Sequence, residues 1–291
     1  VITAIRRQRS AEEKLRASIP VTDKSVLFLS FCPYDRDGGA QRPAALARAM
    51  ARMGYDVLYY QGGPKTTCDP RGPVWALSTN DLTMLMPRLG AVRGVVIAAA
   101  PHNRETWQAL GEAGWITVYD CIDDWSAFMR SGQMEPRFVI QEPAFCQQAD
   151  VVVASAPALV ERCVGLGARS VECIRNGGPE FAEPRDPAVP DEGEIIRWAF
   201  CGSLWGSWLD WGVIKALHDE PGMKGTVVGR LGGTAPPHIT QALGVQSLQN
   251  VWASYPRIEW TGELPHAEAI RKLATCDVGI MPFRDADISR S

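Results

Sequence analysis

Apolar residues in this chain gather into short unbroken runs, with amphipathic stretches of helical spacing between them. Ser25–Phe31, Val57–Tyr60, Gly94–Ala99, Ile116–Asp120, Asp150–Ser155 and Ser170–Ile174 are the runs of the first half. Runs that do not alternate with polar residues read as strands buried on both faces, the mark of a parallel sheet covered by helices. The intervening stretches Gln41–Met53, Leu82–Leu89, Thr106–Leu110, Trp125–Met129, Phe138–Cys146 and Ala156–Leu166 are predicted helices. Alanines at 44, 45, 47, 49 and 51 keep the first of these slim, and Gly54 stops it. Pro143 is expected to kink the fifth or start a turn of it. Residues 61–80 are turn-rich and predict no element.

Pro179, Pro184, Pro187 and Pro190 then interrupt the pattern among acidic residues, a linker composition. The grammar restarts with a strand at Ile196–Cys201, a helix at Trp211–His218 and a strand at Gly225–Val228. Val251–Trp252 and Ile258–Trp260 are short strand candidates, Ala267–Thr275 a helix and Cys276–Met281 a strand. The predicted plan is a basic helical segment over 1–20, a Rossmann-like domain over 21–183, a linker over 184–194 and a second Rossmann-like domain over 195–291. The last strand is followed by no covering helix, so the second domain is expected to be incomplete in this sequence. A small complete domain capped by first-domain elements is the alternative.

The formal charge of −3 gives no dense basic stripe for a nucleic-acid duplex. Arg6, Arg7 and Arg9 form a local exception, and that segment is a candidate for peripheral contact with an anionic membrane surface or a plain solvated helix. The eight cysteines form no C-x-x-C pair, which leaves zinc and redox motifs unsupported and suggests a reducing compartment. No run approaches the roughly 18–20 apolar residues of a membrane span, and no signal core opens the chain. The expected placement is cytoplasmic, at the inner face of a membrane if the basic segment touches one.

The candidate chemistry lies after predicted strand ends, where α/β domains bind ligands. Asp120, Asp123 and Asp124 crowd the end of one strand, and unpaired carboxylates there should face a polar cleft. Asp124 also fits as the N-cap of the helix opening at Trp125. His102, after Ala98-Ala99-Ala100-Pro101, is a candidate base or hydrogen-bond donor. Gly38-Gly39 permits close backbone approach without matching a dinucleotide or P-loop motif, and Gly202 does the same in the second domain. Arg42, in the first turn of a helix, and Arg230, just beyond a strand, are candidate phosphate ligands. Asn176 sits in a turn signal where one domain hands over to the next. His218, His238 and His266 lack metal-ligand spacing, and Ser155 and Ser203 lack the nucleophile-elbow context.

Taken together, Tyr119-Asp120-Cys121-Ile122-Asp123-Asp124, Ala149-Asp150-Val151-Val152-Val153-Ala154-Ser155, Ile174-Arg175-Asn176-Gly177, Phe200-Cys201-Gly202-Ser203-Leu204 and Ala274-Thr275-Cys276-Asp277-Val278-Gly279-Ile280-Met281-Pro282 follow a familiar order. From about Ser25 to Ser291 the chain resembles the GT-B nucleotide-sugar glycosyltransferases, in particular the bacterial family-4-like enzymes of polysaccharide assembly. The resemblance implies two Rossmann-like domains facing a cleft and transfer of a sugar from a nucleotide-diphosphate donor to a hydroxyl of a glycan or lipid-linked glycan. It implies Arg230 on the donor phosphates and Gly38 and Gly39 near the reacting sugar. For the implied reaction Asp123 or Asp124 is the candidate base with His102 as an alternative, and the residues themselves make Arg42, Asp120, Asn176 and Gly202 candidates around the substrates. No metal and no cofactor beyond the nucleotide-sugar co-substrate is implied. The family's lysine- and glutamate-bearing helix would follow the Pro282-Phe283 loop, and the sequence ends before it. A sugar-nucleotide epimerase of the same plan and a non-catalytic envelope-assembly protein with this fold are the alternatives. Acceptor-dependent turnover separates the three.

Overall fold

A computed structural model describes residues 13–32, 34, 41–69, 72–130, 134–177, 195–202, 209–229 and 252–284. The chain divides into two compact units, Val1–Asn176 and Gly177–Ser291. Gly38, Gly39 and Arg230, and the proline-rich stretch 178–194, lie outside the described residues.

Unit 1 holds an eight-stranded sheet in the order β3-β4-β2-β1-β5-β6-β7-β8. Its strands are β1 (Ser25–Leu29), β2 (Asp56–Gly63), β3 (Thr67–Cys68), β4 (Val74–Ser78), β5 (Val95–Ala98), β6 (Ile116–Cys121), β7 (Val151–Ala154) and β8 (Glu172–Cys173). Only the short β3 is antiparallel. Every residue of β1 is buried, as an unbroken apolar run in a covered parallel strand requires. One apolar cluster, with Leu27, Leu29, Trp107 and Phe145, packs on one face of the sheet. A second, with Val26, Phe28, Ala44 and Ala47, packs on the other.

Seven helices of unit 1 are described: α1 (13–18), α2 (Arg42–Arg52), α3 (Thr79–Leu89), α4 (Arg104–Glu112), α5 (Trp125–Arg130), α6 (Pro136–Gln148) and α7 (Pro157–Gly165). The alanine-rich face of α2 is buried, and Gly54 follows its end with φ of 88°, a left-handed conformation that suits glycine. Pro143 neither stops α6 nor starts it; the helix runs through to Gln148 with Phe138 and Phe145 buried on either side. The turn-rich stretch left without an element contains β3, β4 and the first turn of α3, which Ser78 caps by accepting from the Asp81 amide. Of the basic N-terminal segment only α1 is described, and its Arg16 is ion-paired with Asp81.

Unit 2 holds a four-stranded sheet, β11-β10-β9-β12, parallel throughout. The strands are β9 (Ile196–Cys201), β10 (Met223–Val228), β11 (Ile258–Gly262) and β12 (Val278–Gly279), with helices α8 (Trp211–Asp219) and α9 (His266–Leu273). Asp210 caps α8 through the Gly212 and Val213 amides. Trp252 is helical and not part of a strand: its ring packs in the aromatic core of this unit beside Trp211 and Tyr255, and packing overrides its strand propensity. Among the described residues no helix is long and apolar enough to cross a membrane.

Candidate active site

In unit 1, β1 is flanked by β2 on one side and β5 on the other, so the connections leaving β1 and β5 diverge. That reversal of strand order opens the crevice in which α/β sheets bind ligands, beyond the carboxyl ends of the strands. Three residues stand there: Phe31 after β1, His102 after β5 and Asp123 after β6.

The His102 Nδ1 lies 3.2 Å from the Ala100 carbonyl oxygen. Burial lowers the imidazole pKa, against the opposing pull of the Ala100 and Ser30 backbone. The ring is therefore neutral near pH 7 and able to accept a proton. The next residue, Asn103, has φ of 55° and is the one non-glycine in the left-handed region among the described residues. Asparagine tolerates that region better than most side chains. Asn103→Val is expected to lower stability by about 1–2 kcal/mol, whereas Asn103→Gly should leave it nearly unchanged. Denaturant midpoints measure both, and equal midpoints would show that the conformation is not imposed.

The three carboxylates have separate fates. Asp120 is buried and receives Arg42 Nε at 2.9 and 3.1 Å. Arg42 Nη1 also donates to the Ile174 carbonyl at 2.7 Å and to Asn176 Oδ1 at 3.3 Å. Arg42, Asp120 and Asn176 are thus brought together as an internal brace, and not as the phosphate grip expected of Arg42: its guanidinium is turned into the fold and its side chain is only 8% exposed. Burial pushes the Asp120 carboxyl up, and Arg42 opposes this. Asp124 accepts from the Ser126 and Ala127 amides at 2.9 and 3.1 Å, capping α5, and lies 3.3 Å from Arg162 Nη1. It is engaged as a cap and an ion-pair partner. The Asp123 carboxyl has no hydrogen-bond or ion-pair partner among the described residues, while its backbone carbonyl accepts from Cys121 Sγ at 3.7 Å. Burial, and secondarily the neighbouring Asp124 charge, raise its carboxyl to about 7.

Below this edge runs a polar network that the sequence did not reveal. Glu142, fully buried, accepts from Tyr119 Oη at 3.1 Å and pairs with Arg162. Trp125 Nε1 donates to Tyr119 Oη at 3.0 Å. Arg162 therefore joins the buried Glu142 to the Asp124 cap and to Ser126 Oγ. The clue lay in Glu142 and Arg162 themselves, polar members of apolar helical faces, which pattern alone does not pair.

In unit 2 the corresponding edge is made of glycines. Gly202, Gly229 and Gly262 end or follow β9, β10 and β11. A Cβ on Gly229, whose φ is 148°, would lie 1.8 Å from the Gly202 carbonyl oxygen. Backbone bonds from Gly202 to Val228 (3.0 Å) and from Gly229 to Gly262 (2.8 Å) lock the three together, and Trp260 Nε1 holds the Gly229 carbonyl at 3.0 Å. The result is a side-chain-free edge immediately before Arg230. A basic hollow of about 400 Å³ lies instead at the opposite, amino edge of this sheet, lined by Arg197, Lys224, Arg257 and Lys272. Among the described residues no group of three histidine, cysteine or acidic side chains is placed to hold a metal ion.

No family model matches the chain, and no curated protein matches it in sequence. Solved structures do match in fold. A sucrose-phosphate synthase from Thermosynechococcus elongatus superposes with a TM-score of 0.58 at 13% identity, over 90% of this chain and 77% of that one. The Anabaena protein HepE, solved with UDP and glucose, gives 0.58 at 13% identity over 88% and 73%. The lipopolysaccharide outer core galactosyltransferase WaaB gives 0.52 at 11% over 87% and 71%. The chain has two Rossmann-like α/β units, and its fold resembles that of these GT-B glycosyltransferases.

Proposed function

We propose that the protein is a glycosyltransferase moving a sugar from a nucleotide-diphosphate donor to a hydroxyl of a glycan or lipid-linked glycan. The observation that carries this reading is the pair of proton acceptors at the reversal of strand order in unit 1. These are the His102 imidazole and the Asp123 carboxyl, which has no hydrogen-bond or ion-pair partner among the described residues. The likeness in fold to solved glycosyltransferases supports it.

In the reaction, the acceptor oxygen attacks the anomeric carbon of the donor sugar. The bond from that carbon to the diphosphate oxygen breaks, and its electron pair leaves with the nucleoside diphosphate. The acceptor proton passes to Asp123, with the His102 imidazole accepting a hydrogen bond from the acceptor or taking the proton itself. The glycine edge of unit 2 lets the donor approach the backbone, and Arg230 neutralises the charge developing on the diphosphate. Arg230→Ala is expected to weaken donor affinity by about 1.5–3 kcal/mol with little change in melting temperature. Calorimetry checks this, and unchanged affinity would remove Arg230 from the site. The nucleotide sugar is the co-substrate, with no further cofactor. We place the reaction in the cytoplasm, with Arg6, Arg7 and Arg9 touching an anionic membrane face.

The test uses the full-length protein with a panel of uridine- and guanosine-diphosphate sugars and cell-envelope glycans. Acceptor-dependent release of nucleoside diphosphate, with a new glycosidic bond in the product mass spectrum, is expected. Epimerised donor without acceptor, or no turnover, would overturn the assignment.

A further inference from the structure

Phe31 is a large apolar residue left 40% exposed just beyond the most buried strand of unit 1. A single exposed phenylalanine is ordinary, but this one is held. Its ring meets those of His102, Trp125 and Phe138 at centroid distances of 6.1, 5.7 and 6.3 Å, with interplanar angles of 79°, 79° and 81°. Three near-perpendicular ring contacts fix the plane of Phe31. Its supports are themselves fixed. Trp125 is fully buried and bonded to Tyr119, and the His102 and Phe138 rings stack at 6.0 Å and 22°. Phe31 thus forms a rigid apolar tile bordered by the His102 imidazole, and Asp123 lies two residues before its Trp125 support. The other large hydrophobics left exposed do not belong to this aromatic cluster.

We infer that Phe31 is the floor of an acceptor subsite that selects a pyranose ring. This inference rests on the transferase reading above and names the group that carries the attacking hydroxyl. A pyranose has one face of C–H groups about as large as a benzene ring and a rim of hydroxyls. The first matches the tile, and the second matches the proton acceptors at its border. An acyl chain would need a continuous apolar groove, and the tile is one ring wide. Because the three supporting rings order Phe31 before any ligand arrives, stacking on it costs little side-chain entropy.

Saturation-transfer NMR on the full chain, with methyl gluco-, galacto- and mannopyranosides, uridine and 1-hexanol as probes, tests the subsite directly. Phe31→Leu keeps an apolar side chain without the ring, and Phe31→Trp keeps an aromatic one. At least one pyranoside is expected to receive saturation at its ring C–H protons. Its affinity should fall at least tenfold in Phe31→Leu and be retained in Phe31→Trp. In transfer assays the acceptor KM should rise with the same pattern while kcat changes less. Failure of pyranosides to bind, or binding only of uridine or hexanol, overturns the subsite. So does wild-type affinity in Phe31→Leu. Donor turnover with an acceptor KM insensitive to Phe31 overturns the subsite and leaves the transferase reading standing. Phe31-dependent pyranoside binding without turnover of any donor supports the subsite as a sugar-binding tile and rejects the transferase reading.

Discussion

Asp123→Asn lowers turnover by roughly 10²–10⁴-fold, the usual contribution of a positioned general base, and makes the protein more stable at alkaline pH. Both effects follow from one carboxyl that is partly buried, without a partner among the described residues, and raised to about 7. The ordinary value is 3.8, so the folded state holds this proton more tightly than the unfolded chain. The stabilisation is therefore full below the unfolded value and is lost as pH rises through about 7. Above that pH the ionised group destabilises the fold by up to about 4 kcal/mol, taking the pKa displacement at its free-energy equivalent. Asparagine carries no charge and escapes this cost. Melting curves should show the variant ahead of wild type at pH 8.5 and level with it at pH 4. Wild-type kcat/KM should rise with pH through about 7, and that limb should vanish in the variant. If the folded variant transfers sugar at the wild-type rate, the Asp123 assignment fails, and His102 or a mechanism without a protein base takes its place; with His102 as base, the limb moves. The ascending limb would then lie below 6.5, because burial lowers the imidazole.

Arg42→Met is the second large effect, and it falls on stability. The guanidinium faces an Asp120 side chain that is 4% exposed. Removing one partner of a buried pair leaves an uncompensated charge, and such losses run about 3–5 kcal/mol. The penalty should be greatest near neutral pH and shrink in acid, since Asp120, already pushed up by burial, then takes a proton. Arg42→Met combined with Asp120→Asn should recover much of the loss. A double-mutant cycle in urea measures the coupling, and additive single-variant losses would show that the brace contributes nothing. Asp124→Asn, by contrast, keeps an oxygen for its cap and should perturb mainly the contact to Arg162.

Much of this architecture could be read from the chain because strands such as Ser25–Leu29 are buried on both sides and leave an unbroken apolar trace. Elements with half-exposed or polar residues left weaker traces. Thr67–Cys68 is too short to show a period, and the Trp252 segment was drawn into a helical turn by its aromatic neighbours. In the site, residue type and position after a strand were enough to single out His102, Asp120, Asp123 and Asp124. The Asp124 cap could be expected from its place before Trp125, but the ion pairs were not legible, because they depend on partners far away in sequence: Arg42 for Asp120 and Arg162 for Asp124. Phe31 was absorbed into the strand reading because an apolar residue extending an apolar run gives no sign that it has left the sheet. Gly229 carries no such sign in the sequence either, since only the 1.8 Å approach of a Cβ there to the Gly202 oxygen distinguishes a packing requirement from a turn preference.

The brace around Arg42 also bears on how unit 1 assembles in time. Its bonds join residues 78 and 134 positions apart in sequence, so they close only after strands from both halves of the sheet have come together. Contacts of such separation form late, because loop closure must precede them. An interaction absent from the rate-limiting barrier slows escape from the native state without hastening arrival there. The Arg42 guanidinium is thus a latch on the finished sheet: loosening it should shorten the lifetime of folded unit 1 while leaving its refolding rate nearly untouched.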